Sequence, residues 1–219
     1  MKHPTRRTFN NALAGALAGA AGLPAFAADD AANYPSRPIT IVVGFAPGGP
    51  TDIVARVVAT KLSQAWGQPV VVDNKPGAGS NIGTEQVVRA APDGYTLLVE
   101  TIANATNMSV YKNLKYDTKR DLVPIVQFMA APSVLVVNPK LPAKNLKELI
   151  ALAKAEPGKL NYASTGVGGS PHLAGEMLKM RAGIDIVHIP YKGAGPALND
   201  LLAGNVSMGF MTALGLVPY

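Results

Sequence analysis

The sequence predicts an α/β protein with two lobes and a ligand cleft between them. Strand-like and helix-like patterns alternate over residues 39–100 and again over residues 160–211. Such alternation is typical of a parallel sheet with helices on both faces. Residues 125–137, which Pro132 interrupts, predict extended connections between the two sets. The junction of two such lobes is a natural place for a small ligand.

The first set starts with an apolar strand at residues 39–43 and a helix at residues 51–66. Thr51 or Asp52 is expected to cap this helix, and Gly67 is expected to end it. Further strands are predicted at residues 70–73 and 95–100, and a second helix at residues 82–90. Residues 103–121 show no regular pattern.

The second set follows two predicted strands, at residues 125–130 and 133–137, and a helix at residues 145–155 that Asn145 caps. It consists of strands at residues 160–163, 185–189 and 206–211 and helices at residues 171–180 and 196–202. The predicted organisation is a signal segment at 1–27, the N-terminal part of the first lobe at 28–131, the second lobe at 132–211 and a return toward the first lobe at 212–219.

The N-terminal segment has the features of an export signal. Arg6 and Arg7 precede an apolar stretch at residues 12–23 and the small-residue site Ala25-Phe26-Ala27. The TRRTF sequence resembles a twin-arginine motif, and cleavage is predicted after Ala27. A transmembrane anchor is the alternative, but a bilayer of about 30 Å requires about 20 apolar residues. The sequence therefore predicts a periplasmic protein.

Composition excludes several classes of function. Cysteine is absent, so the chain has no disulfide framework, thiolate metal site or cysteine nucleophile. The net charge of +6 falls by half when the signal is removed, and the remaining basic residues are dispersed, which argues against nucleic-acid binding. With His172 and His188 as the histidines beyond the signal, we expect no metal site and no cofactor.

A glycine-rich loop at residues 44–52 predicts an anion site. It joins the first strand to the first helix, so its free N–H groups and the positive helix end face the same space. Gly44 and Gly49 have the spacing of a nucleotide-binding loop, but Pro50 stands where a phosphate-binding lysine belongs. The loop is therefore suited to another small anion.

Three further glycine-rich loops join a strand to a helix, at residues 74–83, 164–172 and 191–196. The first has glycines one position off a dinucleotide fingerprint, and a tight turn is its simpler interpretation. The second offers hydroxyl groups and glycines that allow a ligand close to the backbone. In the third, Lys192 either faces an anion or is a solvated turn residue.

Two side chains have competing interpretations. Asp52 either favours the first helical turn electrostatically or orients a bound water or a ligand amino group. His172 suggests a secreted serine hydrolase with Ser164 or Ser170 as nucleophile, but the chain has no G-x-S-x-G motif and no identifiable acid partner. A role for His172 at the start of a helix is the simpler interpretation, and we expect no catalytic residue.

Several motifs together resemble the periplasmic solute-binding proteins of tripartite tricarboxylate transporters, the Bug family. They are F-x-P-G-G-x-x-D at 45–52, N-K-P-G-A-G-x-N-I-G at 74–83, D-G-Y-T-L-L at 93–98, Y-A-S-x-G-x-G at 162–168, H-L-A-G-E at 172–176 and H-I-P-Y-K-G-x-x-P-A-x-x-D-L-L-A-G at 188–204. The resemblance extends over residues 35–212.

The resemblance implies a type II periplasmic binding fold that closes on a small carboxylate, a di- or tricarboxylate or a related organic acid. The ligand is expected to be held by backbone N–H groups, hydroxyls and waters. The implied binding residues are Phe45, Gly48, Gly49, Thr51, Asp52, Ser80, Asn81, Ser164, Thr165, Gly166, Gly168, Ser170 and His172. Thr212-Ala213 stands where an Asp-Asn pair is common in the family, so the resemblance does not identify the group at the far end of the ligand.

The resemblance also implies a monomer that delivers its ligand to the membrane subunits of a tripartite tricarboxylate-type transporter. A sensor subunit that presents the ligand to a signalling partner uses the same cleft and is the alternative. Members of the family continue beyond the point that corresponds to Tyr219, so we expect the C-terminal part of the first lobe to be missing. The fragment is then expected to be poorly soluble or to bind carboxylates weakly.

Overall fold

The computed structural model describes residues 33–216, and every helix and strand below belongs to the unit that begins at Arg37. The predicted signal at residues 1–27 and its cleavage site lie outside the described residues. Within the described part, no helix combines the length and apolar character needed to cross a membrane.

The first lobe is built on a parallel three-stranded sheet. Strand β1 (Ile39–Val43) lies at its centre between β2 (Val70–Asn74) and β3 (Thr96–Val99). Val43 is in register with Asn74 on one side and Val99 on the other. The three strands therefore end at the same edge, and the loops that follow them meet there.

Helices cover this sheet and leave the strand ends open. Helix α1 (Pro50–Trp66) follows β1, α2 (Asn81–Val88) follows a 3₁₀ turn at Ala78–Ser80, and α3 (Ile102–Val110) follows β3. A short helix α4 (Thr118–Asp121) completes the described part of the lobe. Buried apolar residues of β1, β3, α1 and α3 form the core: Ile41, Val43, Phe45, Ala55, Ala59, Val99 and Ala103.

The second lobe contains a four-stranded mixed sheet. Its strands are β4 (Ser133–Val137), β5 (Asn161–Ser164), β6 (Val187–Pro190) and β7 (Met208–Thr212), in the order β4-β7-β5-β6. Strand β4 runs antiparallel to β7, and the other pairs are parallel. The helices are α5 (Leu146–Ala155), α6 (Ser170–Ala182) and α7 (Ala194–Ala203), with a 3₁₀ turn at Ala213–Leu216.

Alternating residues of β5 supply two cores, one on each face of the second sheet. Tyr162 packs with Leu149, Ile186 and Met208 on one face. Ala163 packs with apolar residues of α7 on the other face. Because successive strand residues point to opposite faces, one strand can anchor both layers.

The structure corrects three predictions. Helix α1 begins with Gly49 as its N-cap and no side-chain cap, so neither Thr51 nor Asp52 caps it. Residues 103–121 contain α3, which starts with a capping box between Thr101 and Asn104. Residues 125–130 are not a strand, because no partner strand pairs with them in the described part, and Ile125 is 77% exposed.

Candidate functional site

The four glycine-rich loops meet around two adjoining cavities between the lobes. The larger cavity, about 690 Å³, is lined by residues of the loops at 44–52, 164–172 and 191–196 and by apolar side chains. The smaller cavity, about 190 Å³, is lined by residues of all four glycine-rich loops. Phe45 and Thr165 line both cavities, so the cavities adjoin at these two residues.

Asp52 holds the first-lobe loop in place. One carboxylate oxygen accepts hydrogen bonds from the Gly48 N–H and from Arg56 Nε, both at 3.0 Å. The other accepts one from Asn74 Nδ2, at 3.0 Å. Asn74 Nδ2 also donates to the carbonyl oxygen of Phe45, at 3.0 Å. Asp52 thereby ties the loop to the start of α1 and the end of β2.

The surroundings of Asp52 keep it ionised. Burial alone would raise its pKa, but the hydrogen bonds from Arg56, Gly48 and Asn74 outweigh burial and lower the pKa below its usual value. The residue is 3% exposed and lines neither cavity. Asp52 is therefore placed to position the loop, and the expectation that it orients a bound water or a ligand amino group stays a prediction.

The loops of the two lobes pack backbone to backbone. The Ala46 N–H donates to the Lys192 carbonyl oxygen at 2.8 Å. A Cβ at Gly193 would lie 3.0 Å from the Ala46 nitrogen, and one at Gly166 would lie 3.5 Å from the Gly79 Cα. Gly166 also has φ +129°, a conformation that other residues rarely adopt. Glycine is therefore required where the lobes touch.

A buried serine and two histidines support the second-lobe loop. Ser164 Oγ accepts a hydrogen bond from the Gly166 N–H at 3.1 Å and is hydrogen bonded to His188 Nε2 at 2.6 Å. His172 Nδ1 accepts one from the Gly168 N–H at 3.3 Å. The two imidazole rings lie 4.3 Å apart, centroid to centroid. Together these side chains fix the backbone at Gly166, which lines the smaller cavity, and at Gly168 beside it.

This arrangement does not suit Ser164 as the nucleophile of a serine hydrolase. Ser164 is 1% exposed and pairs with His188, not with His172 as the hydrolase hypothesis requires. Burial, with a smaller contribution from His172, lowers the pKa of His188 to about 4. A histidine that resists protonation and a serine closed off from the cavity are suited to holding a loop, not to proton transfer during catalysis.

Three helices begin at the larger cavity without side-chain caps. Gly49, Gly169 and Gly193 are the N-cap residues of α1, α6 and α7, and none offers a side-chain acceptor. Residues at each of these starts line the cavity. The first N–H groups of a helix lack intrahelical partners, and the helix dipole adds positive potential. The arrangement is suited to binding an anion.

The two predicted polar residues at the start of α2 differ in their surroundings. Ser80 lines the smaller cavity, is 1% exposed, and its Oγ has no hydrogen-bond partner among the described residues. Asn81 Oδ1 accepts hydrogen bonds from Asn107 Nδ2 and Tyr116 Oη, both at 2.7 Å. The Ser80 hydroxyl is buried against Gly44, whereas Asn81 belongs to a buried network that joins α2 to α3 and to the segment after it.

The predicted residues therefore divide into two groups. Those that line a cavity are Phe45, Gly49, Thr51, Ser80, Thr165, Gly166 and Ser170. Those that line neither cavity are Gly48, Asp52, Asn81, Ser164, Gly168 and His172. The members of the second group position the loops or, for Asn81, the helix behind them.

Sequence reasoning missed part of the larger cavity. Glu100 and Thr101 line it directly after β3, and the rule that ligands bind beyond the ends of parallel strands would have located them. Apolar side chains from residues 124–131, with Phe210 and Met211, also line the cavity, and no sequence pattern indicated that they would. In the part of the chain that the structure describes, no cluster of side chains is suited to a metal ion.

The fold and site define a class: two-lobed α/β binding proteins with a cleft of glycine-rich loops and helix starts. Residues 54–219 match the model of the tripartite tricarboxylate transporter family receptor. The chain belongs to this family, which confirms the resemblance on which the fold was predicted.

Individual relatives agree with this assignment. The chain is 44% identical to the protein BugT of Bordetella pertussis over 198 residues, 90% of this chain and 60% of BugT. It is similar to the structure of Rpa4515 from R. palustris with adipate (36% identity, TM-score 0.82, covering 84% of this chain and 62% of that one). MatC from Rhodopseudomonas palustris with bound malate is also similar (32% identity, TM-score 0.80, 84% and 63%). The chain thus spans about three fifths of the length of each.

Proposed function

We propose that this chain captures a small carboxylate, a di- or tricarboxylate or a related organic acid, as an exported solute-binding protein. The observation that carries the proposal is the convergence of three uncapped helix starts on one cavity. Family membership agrees with it, and the relatives with adipate and malate bind carboxylates. The released ligand passes to the membrane subunits of a tripartite tricarboxylate-type transporter.

In this proposal the ligand carboxylate lies where the two cavities join. Thr165 borders both cavities, and Ser80 and Gly166 border the smaller. The N–H groups of the surrounding loops are the donors. Hydrogen bonds from such donors to a charged group contribute about 1.5–3 kcal/mol each. Gly48, Asp52, Ser164, Gly168 and His172 act indirectly by holding these loops.

The protein is proposed to return its ligand unchanged, as a receptor and not as an enzyme. The burial of Ser164 and its pairing with His188 support this view. We further propose that the protein is periplasmic, that it is cleaved after Ala27 and that it works as a monomer. Mass spectrometry of the periplasmic fraction tests the cleavage, and a protein that retains residues 1–27 contradicts it.

Thermal denaturation with a panel of mono-, di- and tricarboxylates tests the binding function. A ligand at 100 times its dissociation constant adds about 2.7 kcal/mol to the free energy of unfolding. Gly49→Val should abolish this response, because its side chain would lie over Ala194, 3.5 Å from the glycine Cβ position, and cover the start of α7.

Gly49 has φ −84°, so the valine introduces no backbone strain and the variant should fold. Ala65→Val is the control, since Ala65 is an exposed residue of the same helix and lines neither cavity. No response to any carboxylate, or an unchanged response in a folded Gly49→Val protein, contradicts the proposed site.

A further inference from the structure

The two cavities differ in the charged side chains that line them. Lys192 is the charged side chain among the described residues that line the smaller cavity. Glu100 is the charged side chain among those that line the larger cavity. The helix starts of α1, α6 and α7 line the larger cavity and add positive potential there. A ligand whose carboxylate binds at the helix starts therefore shares the larger cavity with Glu100.

Glu100 has no counter-charge in the described part of the chain. None of the ion pairs or side-chain hydrogen bonds there involves its carboxylate. It follows β3 directly and precedes Thr101, the N-cap of α3, so its backbone is fixed by two elements. Partial burial raises the pKa of Glu100, as expected for a carboxylate without a cationic partner.

Much of the lining of the larger cavity is apolar. It includes side chains from both lobes and from the connecting segment, among them Val99, Val126, Phe128, Met129, Phe210 and Met211. Polar groups on the body of a ligand would lose water against these side chains and gain few partners, since Thr101, Gln127, Ser133 and Thr212 supply only scattered polar groups. This lining favours a hydrocarbon body.

We infer that the site selects a monocarboxylate with an apolar body whose far end is uncharged or cationic, and discriminates against a second carboxylate. This inference rests on the proposed function, because it takes the first carboxylate to bind at the glycine-rich loops. A second carboxylate would approach Glu100 without a described cation to offset the repulsion. Adipate and malate, bound in the two similar structures, each carry two carboxylates, so this chain would differ from those relatives.

Three ligands of six carbons test the inference: hexanoate, 6-aminohexanoate and adipate. They share the first carboxylate and differ at the far end, which is a methyl, an ammonium or a carboxylate. Isothermal titration calorimetry of the purified protein should give hexanoate and 6-aminohexanoate an affinity about fivefold above that of adipate, because Glu100 is exposed and solvent screens its charge. Glu100→Gln should reduce the difference between 6-aminohexanoate and adipate to about twofold or less.

Glu156→Gln is the matched control, because it removes the same charge from an exposed residue that pairs with Lys159 and does not line the cavity. It should leave the order of affinities unchanged. Adipate binding as tightly as hexanoate overturns the selectivity while leaving carboxylate capture intact. An unchanged order in Glu100→Gln overturns the role of Glu100. The absence of binding by every carboxylate overturns the proposed function, and this inference with it.

Discussion

The loop at residues 44–52 in the first lobe and the loop at residues 164–172 in the second lobe have the same layout, but different interactions hold them in place. Each joins a buried strand to a helix with a glycine N-cap. An ionised carboxylate with a charged partner holds the first, since Asp52 binds Gly48, Arg56 and Asn74. Neutral hydrogen bonds hold the second, through Ser164 and His188.

The difference shows that the two loops of one cleft are stabilised by interactions that are lost in different pH ranges. The pKa of Asp52 is lowered in the fold, so its contribution is present above the usual aspartate pKa of about 4 and is lost below it. The pKa of His188 is lowered to about 4 from about 6.5, so its contribution is lost as pH falls between these values. The second-lobe loop should weaken first in acid.

The largest expected effect is the loss of the first-lobe support. Asp52→Ala removes the carboxylate that accepts hydrogen bonds from the Gly48 N–H and from Asn74 Nδ2. The Asp52 side chain is only 5% exposed, so water cannot easily replace it. The free energy of unfolding should fall by about 2–4 kcal/mol in urea denaturation.

Asp73→Ala is the control for this prediction, because Asp73 forms an exposed ion pair with Lys75 at 3.2 Å. Its loss should change the free energy of unfolding by less than about 1 kcal/mol. Equal effects of the two substitutions would mean that Asp52 is not a specific support of the loop.

The next effect concerns the point where the lobes touch. Gly166→Ala forces a side chain onto φ +129° and into the smaller cavity, against Gly79 and the Tyr191 carbonyl oxygen. Displaced hydrogen bonds to the carboxylate should cost about 2 kcal/mol, or about 30-fold in affinity.

Gly183→Ala is the control that distinguishes backbone strain from an effect on the ligand site. Gly183 also has a positive φ (+60°), but a Cβ there contacts nothing within 4 Å. It should lower stability and leave ligand affinity unchanged in calorimetry. Equal losses of affinity in the two variants would contradict a specific role for Gly166.

The sequence revealed the loops more readily than their supports. Gly49 and Gly166 could be located because glycine-rich turns between strands and helices meet at the ends of parallel strands. The pairing of Ser164 with His188 depends on β5 lying beside β6, with Tyr162 opposite His188. Local periodicity does not determine the order of strands in a sheet, so the pairing of Ser164 with His188 could not be predicted from the sequence.

The errors in secondary structure have related causes. Helix α3 (IANATNMSV) contains several weak helix formers and is stabilised by a capping box that uses Asn104 in place of Glu or Gln. Residues 125–130 have the composition of a strand, but a strand also needs a partner, and Ile125 and Val126 are exposed here. A local cap stabilises α3, whereas residues 125–130 have no partner strand among the described residues.

The acid response of the second-lobe support is a smaller effect. Because the unfolded chain binds a proton at His188 more readily than the folded chain, stability should fall by about 1–2 kcal/mol between pH 6.5 and 4. His188→Gln should flatten this dependence in thermal denaturation, since its side chain carries no titrating group. An NMR titration that places the His188 pKa near 6.5 would contradict the prediction.

The smallest expected effect separates backbone donors from a charged side chain. Lys192 is exposed at the rim of the smaller cavity, so solvent screens its attraction for an anion, and Lys192→Ala should weaken carboxylate binding by about 1 kcal/mol or less. Lys159→Ala, remote from both cavities and paired with Glu156, should have no effect. Both variants should be compared with the unmodified protein by calorimetry at low and high salt. If Lys192→Ala instead abolishes binding, the carboxylate depends on a cation, and neither glycine-rich loop holds it through its N–H groups.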